Sequence, residues 1–233
     1  MDDKWYIGMS EKAIRQKVAD TALSLLGIKE GTIEYKELIV DVYNSLGKLP
    51  RGHRLTATDP SCAATVTVIG IMLGISHIIL PECSCSKMIE LYKERGQWVE
   101  DDAHVPELGD IIMYAWDAKS GENLLPPDHT GMVVKQEGKK LYILEGNYDN
   151  QVKLRGIPIE YVKTRGFCKP DYAALVQPFK DVPRDHIHAD GIAWGAEESI
   201  VLGVGGGLFE PDRPVTRGEL MTILHRLSVN SGK

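Results

Sequence analysis

Apolar residues recur at helical spacing in the first third of the chain. Between residues 10 and 27, Ile14, Val18, Ala22 and the Leu25/Leu26 pair form one stripe, with Ser10 as a cap and Gly27 as a stop, which predicts a first helix. Residues 35–46 read as a second, ended by Gly47 and Pro50. A polar loop, RGHRLTAT, then leads into DPSCAATVTVIGIMLG at 59–74. There Asp59 suits the N-cap and Pro60 the first helical position, which puts Ser61 and Cys62 in the first turn. The β-branched run 65–69 would equally suit a strand. Residues 86–95, with Met88, Leu91 and Tyr92 on one side, predict a fourth helix.

After Trp98 the period shortens. Residues 110–116, 130–135, 140–145, 152–159 and 172–177 are short β-rich runs. Gly109, the loop SGENLLPPD, Glu137-Gly138 and Gly146-Asn147 separate them as turns. Helices followed by an antiparallel sheet give an α+β domain, expected to span 1–178. From 179 to 233 the pattern changes again. A helix around Trp194, a glycine-rich loop at 203–207 and a last helix make a small module. That last helix opens on the capping box Thr216-x-x-Glu219 and carries Leu220, Ile223, Leu224 and Leu227.

Composition narrows the function. The chain has 233 residues, 43% of them hydrophobic, and no apolar window long enough to span a membrane. The first residues, MDDKWYIGMSEKAI, hold two acids and no apolar core segment, so no secretion signal is visible. A net charge of −6 argues against general nucleic-acid binding. The four cysteines, at 62, 83, 85 and 168, do not form a disulfide framework in a chain this long. Cys83-x-Cys85 lacks the second pair that zinc spacing needs, so these thiols read as structural and no metal or cofactor is expected.

Cys62 is the residue with two readings. It is either a small buried apolar side chain or a nucleophile whose thiol is acidified at a helix N-terminus. His129 in DHTGMVV starts one predicted strand, and Glu145 and Asn147 in LYILEGN end the next. Antiparallel pairing through Glu137-Gly138 would bring those far ends together. An imidazole with a carboxylate or amide partner is the arrangement that orients a general base towards a thiol.

At these residues the sequence resembles the CHAP family, the cysteine- and histidine-dependent amidohydrolases and peptidases of papain-like fold. The carriers are Cys62-Ala63 at a helix start, Pro106-Glu-Leu-Gly-Asp110 before an apolar strand, His129-Thr-Gly-Met-Val-Val134, and Glu145-Gly-Asn147. The resemblance implies a peptidoglycan hydrolase with Cys62 as nucleophile, His129 as base, and Glu145 and Asn147 as orienting groups. It implies cleavage through a thioester, at the muramoyl–alanine bond or a stem or cross-bridge bond. Ser61 departs from the aromatic residue usual before the cysteine, and no acidic calcium loop is recognisable.

The tail resembles a single S-layer homology (SLH) motif, through Phe179-Lys-Asp-Val182, Trp194, Gly203, Phe209-Glu-Pro211 and Val215-Thr-Arg-Gly-Glu219. Gly206 stands where an aspartate is usual. The resemblance implies binding of an anionic cell-wall polysaccharide, with Trp194 and Arg217 as ligand-facing residues. Because such motifs come in threes and this chain has one, the apolar stripe of its last helix is expected either to dock on the catalytic domain or to close a homotrimer. Together the two halves resemble an endolysin, held in the cytoplasm until it is released to the wall. Two other readings stay open: a non-catalytic wall-binding protein with a decayed site, and an intracellular cysteine amidase acting on small molecules.

Overall fold

The computed structural model describes residues 5–100, 104–117 and 125–230. The start of the expected SGENLLPPD loop lies outside them. The fold is mixed α and β, with helices and an antiparallel sheet. The chain divides into two compact units, Arg15–Asp171 and Met1–Ile14 with Tyr172–Lys233. The sequence reading puts one boundary near Pro178; the observed division falls at Tyr172 and takes the first residues into the tail's unit.

The larger unit begins within helix α1, Glu11–Leu23, whose cap Ser10 accepts from the Ala13 N–H. A second helical stretch runs through α2 (Ile33–Tyr35), a wide π-type segment (Lys36–Asp41) and α3 (Val42–Asn44), and buries Tyr35, Ile39, Val40 and Tyr43. Helix α4, Cys62–Met72, follows, and every residue from Cys62 to Gly70 is buried. Its β-branched run is helical for a reason of magnitude. Each such residue costs at most about 0.7 kcal/mol of helix propensity. Burying Val66, Val68 or Ile69 returns roughly 1.5–3 kcal/mol apiece. The buried hydroxyls are satisfied as well. Thr65 donates to the Ser61 carbonyl, and Thr67 donates to the Glu82 carbonyl and accepts from its N–H.

The helix starts later than the sequence suggests. The Asp59 carboxylate is occupied by the Thr56 N–H at 2.7 Å and the Thr56 hydroxyl at 2.8 Å, closing the preceding turn, so Ser61 is the N-cap and Cys62 the first helical residue. Helix α5, Cys85–Glu94, is capped by Ser84 and begins one residue before the expected start at 86.

A six-stranded antiparallel sheet follows, in the order β1-β6-β2-β3-β4-β5. The strands are β1 Trp98–Val99, β2 Ile111–Tyr114, β3 His129–Glu137, β4 Lys140–Glu145, β5 Lys153–Pro158 and β6 Thr164–Cys168. The sequence reading lacks β1 and β6. Ile112, Tyr114, Val133, Leu141, Ile143, Ile157 and Phe167 make a core on this sheet. Asp110, which leads into β2, is fully buried. Arg15 of α1 bonds it at 3.1 Å, and the Glu107 N–H donates to its other oxygen. That accounts structurally for the Pro106–Asp110 motif.

In the smaller unit, residues 172–177 are not the expected strand. Tyr172–Leu175 is one 3-10 turn, and the two buried residues are Tyr172 and Leu175, three apart rather than alternating. Helices α6, Ala189–Glu197, and α7, Arg217–Asn230, complete the unit. Its small core is Phe179, Val182 and Ile192, with Val201 and Phe209 against it. Asp181 ties the loop to this core, accepting from the Phe209 and Glu210 N–H groups at 2.9 and 2.7 Å. The expected capping box is present: the Glu219 carboxylate accepts from Thr216 N–H at 2.8 Å, and the Thr216 hydroxyl accepts from Glu219 N–H at 3.2 Å.

Candidate active site

The β3–β4 hairpin turns at Gly138 and pairs from Glu137↔Lys140 up to Met132↔Leu144. Its far ends meet, and His129 Nε2 lies 3.5 Å from Glu145 Oε2. Helix α4 packs on β3. Two glycines allow the close approach. A Cβ on Gly146 would come within 2.6 Å of the Thr65 Cβ, and one on Gly131 within 2.6 Å of the Leu144 carbonyl. The first turn of α4 thereby comes close enough to the imidazole for Cys62 and His129 each to shift the other's protonation.

The charges in this group support one another. Cys62 is held well below the usual thiol range. The Cys85 thiol bonding to it is the largest cause; burial opposes the shift, and the His129 bond and the Ala63 N–H at the helix start add to it. For His129, burial disfavours the cation, but the Cys62 and Glu145 bonds outweigh it and raise the imidazole to about 9. Glu145 is fully buried, and its desolvation is outweighed by the bidentate Arg155 and the nearby His129, which hold its carboxyl below the usual range.

Arg155 grips Glu145 with Nε at 3.0 Å from Oε2 and Nη2 at 2.8 Å from Oε1. Its guanidinium lies over four rings, at 4.7 Å from Tyr114, 4.6 Å from Trp116, 5.3 Å from Tyr148 and 5.4 Å from Tyr161. Tyr114 and Trp116 stack on each other at 4.9 Å, and His129 lies 5.5 Å from Trp116. A desolvated cation thus stands behind the carboxylate, and the imidazole stands in front of it. Next to Cys62 in the chain, the Ser61 hydroxyl is 3.4 Å from Glu30, whose carboxyl burial pushes up.

Sequence reasoning names Cys62, His129 and Glu145, and the fold brings these three together. Asn147 is not bonded to this group. It sits half-buried in the bend after β4 at φ 53°, a left-handed conformation asparagine tolerates, and makes no hydrogen bond to Cys62 or His129 among the described residues. Arg155 is absent from the sequence reading, which counts Cys85 only among the structural thiols. Arg155 had a signal: it is in phase with the buried Ile157 of β5 while Leu154 and Gly156 on either side of it face out, so a charge occupies a core position and calls for a buried acid. Cys85 had only its place at a helix start. Among the described residues no group of His, Cys, Asp and Glu is placed to hold a metal ion.

In the smaller unit, Trp194 is half exposed on α6 and lines a cleft with Val176, Pro178, Arg184 and Asp190. Arg217 opens α7, exposed to solvent, and is not part of that cleft's lining.

The model of the S-layer homology domain matches residues 178–221, which covers the Asp181 loop, α6, the glycine-rich loop and the start of α7. That module implies association with the cell wall or cell surface. No helix among the described residues is long and apolar enough to cross a membrane. No curated protein and no solved structure matches the chain.

Proposed function

We propose that the larger unit is a papain-like cysteine amidohydrolase of the CHAP type and that its substrate is bacterial peptidoglycan. The observation that carries this reading is the meeting of two buried groups, Cys62 at the first position of α4 and His129, whose Nε2 lies 3.5 Å from the buried Glu145. A structural cysteine needs none of these partners. In the proposed reaction the Cys62 thiolate attacks an amide carbon, and an unpaired N–H at the start of α4 stabilises the oxyanion. His129 gives its proton to the leaving amine, and then, as a base, draws one from the water that hydrolyses the thioester.

The choice of substrate rests on the S-layer homology domain in the same chain, which favours a wall polymer over a soluble amide. Trp194 and Arg217 are the proposed contacts of that domain with anionic wall polysaccharide. The deciding experiment is mass spectrometry of purified peptidoglycan after digestion. New amine ends that appear with the wild type and not with Cys62→Ala support the reading and identify the bond. An unchanged muropeptide profile with the folded wild-type protein sinks it.

A further inference from the structure

The Cys85 thiol is not needed for acyl transfer as outlined above, yet its Sγ lies 3.8 Å from that of Cys62. Each cysteine is the first residue of its helix, α4 and α5 respectively, so two helix N-termini converge on the two sulfurs. Both side chains are buried. The nearby Cys83 thiol belongs to another set of contacts: Arg51 Nη2 lies 3.2 Å from its sulfur. The remaining cysteine, Cys168, is fully buried in β6. The four thiols thus comprise one facing pair and two separate ones.

We propose that Cys62 and Cys85 form a reversible redox-modification site, in which peroxide links them as a disulfide and a dithiol reductant restores them. The electrons balance in two steps. The Cys62 thiolate attacks a peroxide oxygen and breaks the O–O bond. It becomes a sulfenic acid, and the leaving oxygen takes a proton and departs as water. The Cys85 sulfur then attacks the Cys62 sulfur, and the S–O bond breaks. The departing hydroxide takes the Cys85 proton and leaves as a second water. One peroxide is reduced and two thiols are oxidised. Bond formation requires the sulfurs to close from 3.8 Å to about 2.05 Å, which side-chain rotation at two helix ends can supply.

The same contact explains a chemical asymmetry. Cys85 hydrogen-bonds to the Cys62 sulfur and stays protonated, because the neighbouring thiolate and its own burial both push its thiol up. Cys62 is therefore the sulfur that meets the oxidant, and Cys85 the one that resolves it. Without a resolving thiol, Cys62 would go on to the sulfinic and sulfonic acids, which thiols do not reverse. The link would protect the sulfur and, on the reading of Cys62 as nucleophile, switch hydrolysis off.

The test is peptide mapping by mass spectrometry of the full chain after hydrogen peroxide, with and without later dithiothreitol. The wild type is expected to yield a Cys62–Cys85 linked peptide, to lose iodoacetamide labelling at Cys62, and to regain it on reduction. In Cys85→Ser the same dose is expected to leave Cys62 as sulfinic or sulfonic acid, with no recovery. A wild type in which Cys62 over-oxidises as in Cys85→Ser, or links to Cys83 instead, overturns the proposal. So does one in which no link forms. Because the readout on the wild type is covalent and independent of hydrolysis, it can fail while the amidase reading stands, and the reverse.

Discussion

Two arginine–glutamate pairs, one in each unit, have nearly the same geometry and opposite surroundings. Arg155 meets Glu145 at 2.8 Å with 16% and 0% of their side chains exposed; Arg213 meets Glu219 at 2.6 Å with 37% and 41% exposed. Distance alone would rank them as equals. In the larger unit the pair is closed off by rings, counter-ions do not reach it, and removing one partner strands a charge. In the smaller unit water and salt already solvate both partners, over a screening length of about 8 Å at physiological ionic strength. The first pair fixes the carboxylate that faces His129. The second tightens a helix cap.

The largest effect that would sharpen this comparison is chemical. Cys62→Ala should lower wall hydrolysis by roughly 10⁴–10⁶-fold, the range for removing a nucleophile from a cooperating set. The circular dichroism spectrum should be unchanged, because only a small thiol leaves a helix start. Retained turnover in this variant would remove Cys62 from the mechanism.

Next comes stability. Arg155→Ala should destabilise the larger unit by about 3–5 kcal/mol, the cost of leaving Glu145 buried without its cation. Arg213→Ala should shift a urea midpoint far less. Similar shifts for the two variants would break the contrast.

A smaller change comes from pH. Turnover needs both the thiolate and the imidazolium. The first is favoured because Cys62 is held well below its usual range, and the second is lost as pH rises through about 9. A rate profile with an alkaline limb near 9 is expected, and Glu145→Gln should move that limb down. An alkaline limb that stays in place in Glu145→Gln would detach Glu145 from the imidazole.

The smallest effect belongs to the exposed pair. Arg213 and the two Thr216 donors hold the Glu219 carboxyl at about 2, against an ordinary 4.5. A depressed carboxylate stabilises fully above its unfolded value. The cap's contribution should therefore persist at neutral pH and fade as pH falls from about 4.5 through 2. Thermal melts of Glu219→Gln and wild type should differ at pH 7 and converge in acid. Curves that differ equally at both ends would rule the carboxylate out as the cause.

Much of this fold could be read from periodicity, because the long helices and the β3–β4 hairpin are locally specified. The stripe of Ile14, Val18 and Ala22 and the Glu137-Gly138 turn each carry their own signal. The hairpin then forces the meeting of His129 with Glu145, so half of the candidate site could be found without tertiary knowledge. The rest depended on contacts distant in sequence. Cys62 and Cys85 are 23 residues apart, and nothing local pairs them. Arg155 resembled a solvated strand residue until the register Ile143↔Arg155 placed it beside Glu145. Asp59 was misread as a cap because its competitor, the Thr56 turn, lies outside the helix that the pattern describes. Strand β6 is short, and β1 has only two residues; each becomes visible as a strand through its partner.

Helix α4 has no solvent-facing side from Cys62 to Gly70. Most surface helices can fray, slide or breathe at one edge while the rest of a domain stays folded. This one cannot move without opening the packing on every side of it. Its amides should exchange with deuterium only through global opening, and Cys62, the proposed nucleophile, inherits that cooperativity at its first turn. Activity and fold should then disappear at the same denaturant concentration, with no softened, inactive state between them.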